Sequence, residues 1–205
     1  MKRALILGAS GGIGSAVANN LKKQDWDVTS LSRSLDQFDI TNEDSVQASL
    51  NSVRGPFNYI LIATGALEIK STPEKSINHL SQCNMIDHFI TNTIGPALIL
   101  KHIRLLLDKK SSSIVSVLSA RVGSIEDNKL GGWYSYRAAK AAVNQIVKSF
   151  SIELSRSHPK ACLLAIHPGT VDTNLTHKYS SNYPKQTPAE AAQNILDVTL
   201  NKYTS

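Results

Sequence analysis

The sequence is poor in cysteine, and it contains neither a long apolar run nor a block of like charge. Its two cysteines, Cys83 and Cys162, lie far apart and do not suggest a metal or redox pair, so no metal site is expected. No apolar run approaches the ~20 residues of a membrane span, so we expect no membrane partner. The apolar stretch after Met1-Lys2-Arg3 is too short for a signal peptide, and we therefore expect a cytoplasmic protein.

The basic charge is also unlike that of a nucleic-acid-binding protein. The net charge is +6, but the lysines and arginines are scattered along the chain. Scattered cations are typical of a solvated basic surface, of which an anionic cofactor would use only part, so no nucleic acid partner is expected. The length of 205 residues and the 41% hydrophobic content predict one domain over 1–205 with a buried core.

A glycine-rich turn follows the first apolar run, Ala4–Leu7, and leads into residues with helical spacing. The candidate anion-binding residues of this turn are Gly8, Ser10, Gly11, Gly12, Ile13 and Gly14. A strand, a tight turn and a helix in this order place backbone N–H groups at a helix N-terminus, where a phosphate binds. The spacing Gly-x-x-x-Gly-x-Gly resembles that of the short-chain dehydrogenase/reductase family. The alternative is a loop that only turns the chain.

Apolar segments alternate with helical patterns along the chain and predict an α/β fold: a single, doubly wound parallel sheet of Rossmann type, flanked by helices. The predicted strands are Ala4–Leu7, Asp27–Leu31, Tyr59–Ala63, Ser113–Leu118 and Ala161–His167. Candidate site residues follow each strand directly, where such sheets bind ligands. The family usually has one more strand after the last helix, and we expect this sheet to lack it.

The second strand, Asp27–Leu31, leads into Ser32-Arg33, near the point where NAD-binding Rossmann proteins carry an acidic residue for the ribose hydroxyls. A guanidinium fork suits a 2′-phosphate, so we predict NADP(H) as the preferred cofactor and NAD(H) as the weaker one. The alternative is a surface arginine. Asp39-Ile40-Thr41 resembles the adenine-side segment of the family, and Thr41-x-x-Asp44 also resembles a capping-box helix start.

The resemblance implies two further cofactor-binding segments. Ala63-Thr64-Gly65 stands where the family usually has Asn-Asn-Ala-Gly, so the glycine matches and the two asparagines do not. The segment after the last strand is similar to the Pro-Gly-x-x-x-Thr segment beside the nicotinamide, which implies contacts from Pro168, Gly169, Val171 and Thr173. Residues 174–186 then form a short substrate region.

Asn92 lies within a long helical pattern, from about 77 to 107, and precedes Pro96 by four residues. Because proline has no N–H, the Asn92 carbonyl loses its helical partner, and we expect the helix to break there. The catalytic asparagine of the family sits at this point and holds a water in a proton relay; the alternative is a simple kink. We expect the nearby His88 to be a surface or packing residue.

Tyr136 and Lys140 are four residues apart in a helical pattern and so share one face. A neighbouring ammonium stabilises a phenolate and lowers the pKa of the tyrosine, which can then exchange a proton with a carbonyl oxygen. Lys140 can also bind the nicotinamide ribose. Tyr-x-x-x-Lys alone is a weak pattern, and its alternative is a surface pair.

The segments 119–124 and 131–136 look most like those of the C-factor and sniffer-type carbonyl reductases, and the family resemblance covers nearly the whole chain. It implies an NADP(H)-dependent oxidoreductase for a small carbonyl or alcohol substrate, with Asn92, a serine, Tyr136 and Lys140 as catalytic residues. It also implies a homodimer or homotetramer. A cofactor-binding signalling or regulatory protein with little turnover is the alternative.

In the family that this sequence resembles, the catalytic serine lies three residues before the glycine that follows the fourth strand. Counting back from Gly123 gives Ala120, which has no hydrogen-bond donor in its side chain, and Ser119 is one residue earlier. Ser119 would point away from the tyrosine in a regular strand, but a bulge or turn at the strand end can redirect it, and we predict Ser119 as the catalytic serine. Ser124 in the next loop, and catalysis by Tyr136 without a serine, are the alternatives.

Overall fold

The computed structural model describes residues 1–179 and 184–201, and its centre is a five-stranded parallel sheet of order β2-β1-β3-β4-β5. The strands are β1 (Arg3–Leu7), β2 (Asp27–Leu31), β3 (Tyr59–Ile62), β4 (Ser113–Leu118) and β5 (Ala161–Ile166). The predicted α/β class and the doubly wound parallel sheet are confirmed. Part of the predicted substrate region, 180–183, lies outside the described residues, as does 202–205.

Helices cover both faces of the sheet. They are α1 (Gly12–Lys23), α2 (Arg33–Asp36), α3 (Glu43–Ser52), α4 (Gln82–Phe89), α5 (Gly95–Ile103), α6 (Tyr134–Ser157) and α7 (Pro188–Leu196). Along β1, Ala4 and Ile6 pack against α1 and α7, whereas Leu5 and Leu7 pack in the layer that contains α3, α5 and α6. All four side chains are fully buried, which is why this strand reads as a continuous apolar run.

The connection after β2 is short. A single helical turn, α2, replaces a crossover helix, and β2 forms one edge of the sheet while β5 forms the other among the described strands. The predicted cap of α3 is off by one residue: Asn42 accepts the hydrogen bond from Ser45 N–H, and Thr41 instead donates to Asp39. The short Asn side chain competes successfully for the cap because the Thr41 hydroxyl already closes the preceding turn.

The expected helix over 77–107 is interrupted rather than continuous. A π-helical turn, Ile90–Ile94, joins α4 to α5, and the N–H of Gly95 bonds to the carbonyl of Ile90, five residues earlier. Because Pro96 has no N–H to donate, the wider turn accommodates it without ending the helical path. Asn92 therefore lies in a widened turn and not at a clean break.

In the described part of the chain no helix has the length and apolarity that a bilayer crossing requires.

Candidate active site

A cleft of about 1820 Å³ opens at the carboxyl ends of the strands. The predicted residues that line it are Ser10, Gly11, Gly12, Ile13, Gly14, Ala63, Thr64, Gly65, Ser119, Tyr136, Lys140, Pro168, Gly169, Val171 and Thr173. Gly8 and Asn92 contact this lining from behind. Arg33, Asp39 and Ile40 lie beyond it, after the end of β2. The topology thus brings most of the predicted residues into one cleft.

The glycine turn is packed too closely for side chains. Gly8 has a φ of +90°, and a Cβ there would lie 2.8 Å from the carbonyl oxygen of Ala63; a Cβ on Gly14 would lie 2.4 Å from the carbonyl oxygen of Gly8. The helix start at Gly11 has no side-chain cap, and the first turn of α1 holds no acidic residue. Uncapped N–H groups that face a cleft are a suitable site for an anion.

The lining also contains a polar atom without a partner. The hydroxyl oxygen of Thr64 is buried and makes no hydrogen bond within the described residues, and the Thr64 side chain contacts Gly8. A buried hydroxyl is normally hydrogen-bonded, so this atom indicates a ligand group at the glycine turn. The donor set and the close packing at this turn fit the phosphates of a dinucleotide.

Arg33 is exposed, at the first position of α2. Ser32 caps this turn, and its N–H donates to the Asp36 carboxylate at 2.8 Å. The pKa of Asp39 is lowered, first by the Thr41 N–H and then by the Thr41 hydroxyl, with a smaller contribution from the Arg33 charge. The Asp39 carboxylate therefore closes its own turn, and the guanidinium faces solvent.

Tyr136 and Lys140 lie in the first two turns of α6, and both are buried. The Lys140 ammonium lies 5.8 Å from the centre of the Tyr136 ring and donates to the carbonyl of Leu118 at 3.1 Å. Burial lowers the pKa of Lys140 to about 8 and raises the pKa of Tyr136 to about 12. The expected lowering of the Tyr136 pKa is therefore wrong for this structure, because burial penalises the charged phenolate.

Asn92 is fully buried, and its amide is fixed by the loop after β3. It donates to the carbonyl of Ala66 at 2.9 Å and accepts from the N–H of Ala66 at 3.0 Å. The same loop brings Asn92 to Lys140: a Cβ on Gly65 would lie 2.9 Å from Asn92 Oδ1 and 3.4 Å from Lys140 Nζ. Asn92 and Lys140, 48 positions apart in the numbering, thus meet at one glycine.

His88 is a site residue whose role the sequence analysis missed. It is fully buried, its Nδ1 lies 3.2 Å from the Asn92 amide nitrogen, and its ring is edge-on to Tyr136 at 5.9 Å. Since the amide nitrogen is a donor, Nδ1 accepts, and we assign the proton of a neutral ring to Nε2. Burial lowers the pKa of His88, which is consistent with a neutral ring. The spacing of four residues before Asn92 was the available signal.

Glu74 is a second missed residue, and no sequence pattern indicates it. Its carboxylate is buried and accepts hydrogen bonds from the Asn84 amide and from the hydroxyl and N–H of Ser135. Its backbone carbonyl accepts from the N–H of Trp133 at 2.5 Å. Burial raises the pKa of Glu74, but the hydrogen bonds from Ser135 and Asn84 outweigh it, and the net pKa is lowered. Glu74 thus anchors the N-terminus of α6 directly before Tyr136.

Ser119 follows β4 and points toward α6. Val115 and Val117 face the α6 layer, and Ser119 continues this alternation without a bulge. Its hydroxyl donates to Asn144 Oδ1 at 2.6 Å. Ser124 accepts a hydrogen bond from the N–H of Asp127 within its own loop.

The segment 174–179 closes one rim of the cleft. Lys178 pairs with Glu68 at 3.1 Å, and the hydroxyl of Tyr179 donates to the same carboxylate at 3.0 Å. These contacts join the segment after β5 to the loop after β3. No cluster of three or more metal-ligating side chains occurs within the described residues.

The family model described as short chain dehydrogenase matches residues 2–184. The sequence is similar to 1-hydroxy-2-glutathionyl-2-methyl-3-butene dehydrogenase of Rhodococcus sp. strain AD45, with 38% identity over 105 residues. That alignment covers 51% of this chain and 45% of the dehydrogenase, so it spans about half of each. The C-signal protein of Myxococcus xanthus is 31% identical over 100 residues, 49% of this chain and 59% of that protein.

Solved structures share the fold at low sequence identity. The carbonyl reductase Sniffer of D. melanogaster superposes with a TM-score of 0.77 at 20% identity, over 97% of this chain and 91% of that one. A short chain dehydrogenase from Burkholderia cenocepacia J2315 in complex with NADP superposes with a TM-score of 0.79 at 17% identity, over 96% and 89% of the two chains. The resemblance drawn from the sequence motifs is confirmed.

Proposed function

The chain belongs to the short chain dehydrogenase family, and on this premise we propose that it is an NADP(H)-dependent oxidoreductase that interconverts a carbonyl and an alcohol on a small molecule. One observation carries the proposal: Tyr136 and Lys140 line one cleft together with the uncapped glycine turn, and Asn92 approaches Lys140 at Gly65 behind that lining. The solved relative with bound NADP supports the cofactor class.

The residues of the cleft divide into binding and proton-transfer roles. Bound NADPH would supply the hydride for the carbonyl carbon and become NADP⁺. The N–H groups at the start of α1 would bind its phosphates, and Thr64 would gain a partner for its hydroxyl. Tyr136 donates the proton to the carbonyl oxygen, and Lys140 favours the resulting phenolate. The Asn92 side chain makes two hydrogen bonds to the backbone of Ala66 and so holds the loop after β3 beside Lys140.

Tyr136→Phe tests this mechanism, because it keeps the ring and removes the transferable proton. We expect NADPH oxidation with aldehydes to fall to background while NADPH still binds by calorimetry. Tyr134→Phe, on the same helix, is the matched control and should keep wild-type turnover. An active Tyr136→Phe enzyme would contradict the proposal.

Arg33 is proposed to set the preference for NADP(H) over NAD(H). Its guanidinium is exposed at the end of β2, and no acidic residue occupies that position. Arg33→Ala should weaken NADPH binding by ~10-fold or more, in line with the loss of one charge-assisted contact, and should leave NADH binding unchanged. Equal losses for the two cofactors would show that Arg33 does not read the 2′-phosphate.

Ser119 is proposed as the hydroxyl beside the substrate oxygen, since it lines the cleft with Lys140, whose ammonium donates to the carbonyl of the preceding residue, Leu118. Loss of one such donor typically costs ~10²–10³ in rate, so Ser119→Ala should lose most of its kcat, whereas Ser124→Ala should lose little. A silent Ser119→Ala together with a faster Ala120→Ser would favour the alternative function. That alternative, a cofactor-binding regulatory protein with little turnover, is favoured by Ala120 at the usual serine position.

A homodimer or homotetramer is proposed from the apolar side chains exposed on the helical layer. Ile86 on α4, Ile94 in the π-helical turn and Ile152 on α6 are about half exposed. Isologous packing of helices is a common way to bury such residues. Light scattering at micromolar concentration should report at least a dimer, and a monomer would contradict this assignment.

A further inference from the structure

Trp133 has a strained backbone immediately before the catalytic helix. Its φ and ψ are 51° and 41°, in the left-handed region, and it follows Gly131 and Gly132, whose φ values are 63° and 65°. Glycine adopts this conformation freely, but a bulky side chain does so only when its surroundings hold it. Such strain tends to occur at functional sites, so the position of the indole needs an explanation.

The surroundings of Trp133 hold both its backbone and its ring. Its N–H donates to the carbonyl of Glu74 at 2.5 Å, and its carbonyl accepts from the N–H of Arg137 at 2.8 Å. Its indole is edge-to-face with Tyr136 at 6.3 Å and with Tyr179 at 5.7 Å. The strained residue thus connects the catalytic tyrosine to the rim of the cleft.

The indole is half-buried, lines the cleft and is accessible to a ligand. Apolar side chains also line this cleft beside the aromatic rings: Leu67 comes from the loop after β3, and Val122 and Leu130 come from the connection between β4 and α6. Tyr179 is positioned by its hydrogen bond to Glu68 and by its ring contact with Trp133, so the aromatic surface is present before any substrate arrives. An aromatic wall of this kind favours a planar ring through stacked or edge-to-face contacts.

From this arrangement we propose that Trp133 and Tyr179 form the substrate-selecting wall, and that the enzyme prefers aldehydes or ketones in which an aromatic ring adjoins the carbonyl. The inference rests on the proposed function, in which the carbonyl carbon receives a hydride from NADPH and the oxygen receives a proton from Tyr136. Trp133 is here a specificity residue: it contacts the substrate ring and takes no part in proton transfer.

Benzaldehyde and cyclohexanecarboxaldehyde provide a matched test, because they have similar size and differ in planarity. We expect the wild-type kcat/KM to favour benzaldehyde, and Trp133→Leu to reduce this ratio about tenfold, the value of one aromatic contact. Trp133→Phe should retain most of the ratio. Trp26→Phe is the control and should leave the ratio unchanged, because Trp26 directly precedes β2 and is not among the residues that line the cleft. If Trp133→Leu does not fold, Tyr179→Leu tests the same wall.

If Trp133→Leu leaves this ratio unchanged, so that kcat/KM falls equally for the two aldehydes, the assignment is overturned. A binding experiment separates this result from failure of the proposed function. In the Trp26→Phe background the fluorescence of Trp133 reports the wall directly, and benzyl alcohol should quench it at lower concentration than cyclohexylmethanol. That preference without turnover of either aldehyde would support the aromatic wall and reject the reductase, whereas equal quenching by the two alcohols would reject the wall.

Discussion

Lys140 should make the folded protein less stable at neutral pH than a neutral residue would. Burial lowers its pKa from 10.5 to about 8. At about 1.36 kcal/mol per pKa unit, this difference corresponds to a cost of about 3 kcal/mol for the charged lysine in the folded state. Lys140→Met removes that cost but also the hydrogen bond to Leu118, which is worth about 1 kcal/mol. We therefore expect Lys140→Met to be more stable than the wild type by about 2 kcal/mol at pH 7.

The sign of the pH dependence follows from the same pKa. Below about pH 8 the lysine is charged in both the folded and the unfolded chain, and the folded chain bears the whole cost. Between the folded pKa of about 8 and the unfolded value of 10.5, the unfolded chain holds the extra proton, so wild-type stability rises with pH. The advantage of Lys140→Met should shrink by about 2 kcal/mol between pH 7 and pH 9.5.

Urea denaturation followed by circular dichroism at pH 7.0, 8.5 and 9.5 measures both quantities. Lys148→Met is the matched control, because Lys148 is exposed on the same helix. Its stability should stay within about 0.5 kcal/mol of the wild type at each pH. A Lys140→Met protein that is less stable than the wild type at pH 7, or an advantage that does not change with pH, would refute the reasoning.

Three further substitutions test the residues that hold Tyr136 and Lys140 in position. Asn92→Ala leaves the N–H and carbonyl of Ala66 without partners and should cost about 2–4 kcal/mol in urea denaturation. Glu74→Gln loses charge-assisted hydrogen bonds at the start of α6 and should lower the free energy of unfolding by about 1–2 kcal/mol at neutral pH. Because the folded pKa of Glu74 is lowered, this loss should fade as the pH falls below 4.5 and through the folded pKa. A loss that does not change with pH would contradict the role of the Glu74 charge. Gly65→Ala forces a Cβ to 2.9 Å from Asn92 Oδ1 at a φ of +148°, so turnover should drop more than stability, as initial rates and melting temperature can show together.

The strands and the glycine turn could be predicted from the sequence because their signals are local. Tyr59–Ile62 is buried on both faces and reads as an unbroken apolar run. In the glycine turn, Gly8 has a positive φ, and a Cβ on Gly14 would lie 2.4 Å from the carbonyl oxygen of Gly8 only six residues earlier. The resulting strand ends placed most cleft residues correctly. The exact cap at Asn42 was missed by one residue, since two neighbouring side chains can both act as caps.

The supporting contacts could not be predicted, because their partners are distant in the chain. Glu74 bonds to Ser135, 61 residues away, and a carboxylate in a loop gives no hint of burial. His88 reads as an ordinary polar residue of an amphipathic helix until Tyr136 packs against it. The pKa of Tyr136 was also predicted in the wrong direction, because sequence spacing reveals the neighbouring charge but not the depth of burial.

Helix α6 and the segment 174–179, which lie on two sides of the cleft, should differ in hydrogen exchange and in sensitivity to proteolysis. Tyr136 and Lys140 lie on the 24-residue helix α6, whose inner face belongs to the main core, so its amides can exchange only when that core opens. The segment 174–179 is held by an exposed ion pair, by the hydrogen bond from Tyr179 to Glu68 and by one ring contact with Trp133, which salt and small fluctuations can release. Its amides should exchange orders of magnitude faster, and a protease should cut there first while the folded core survives. Tyr136 and Lys140 then stay fixed through each turnover, and the substrate enters and leaves where the segment 174–179 opens.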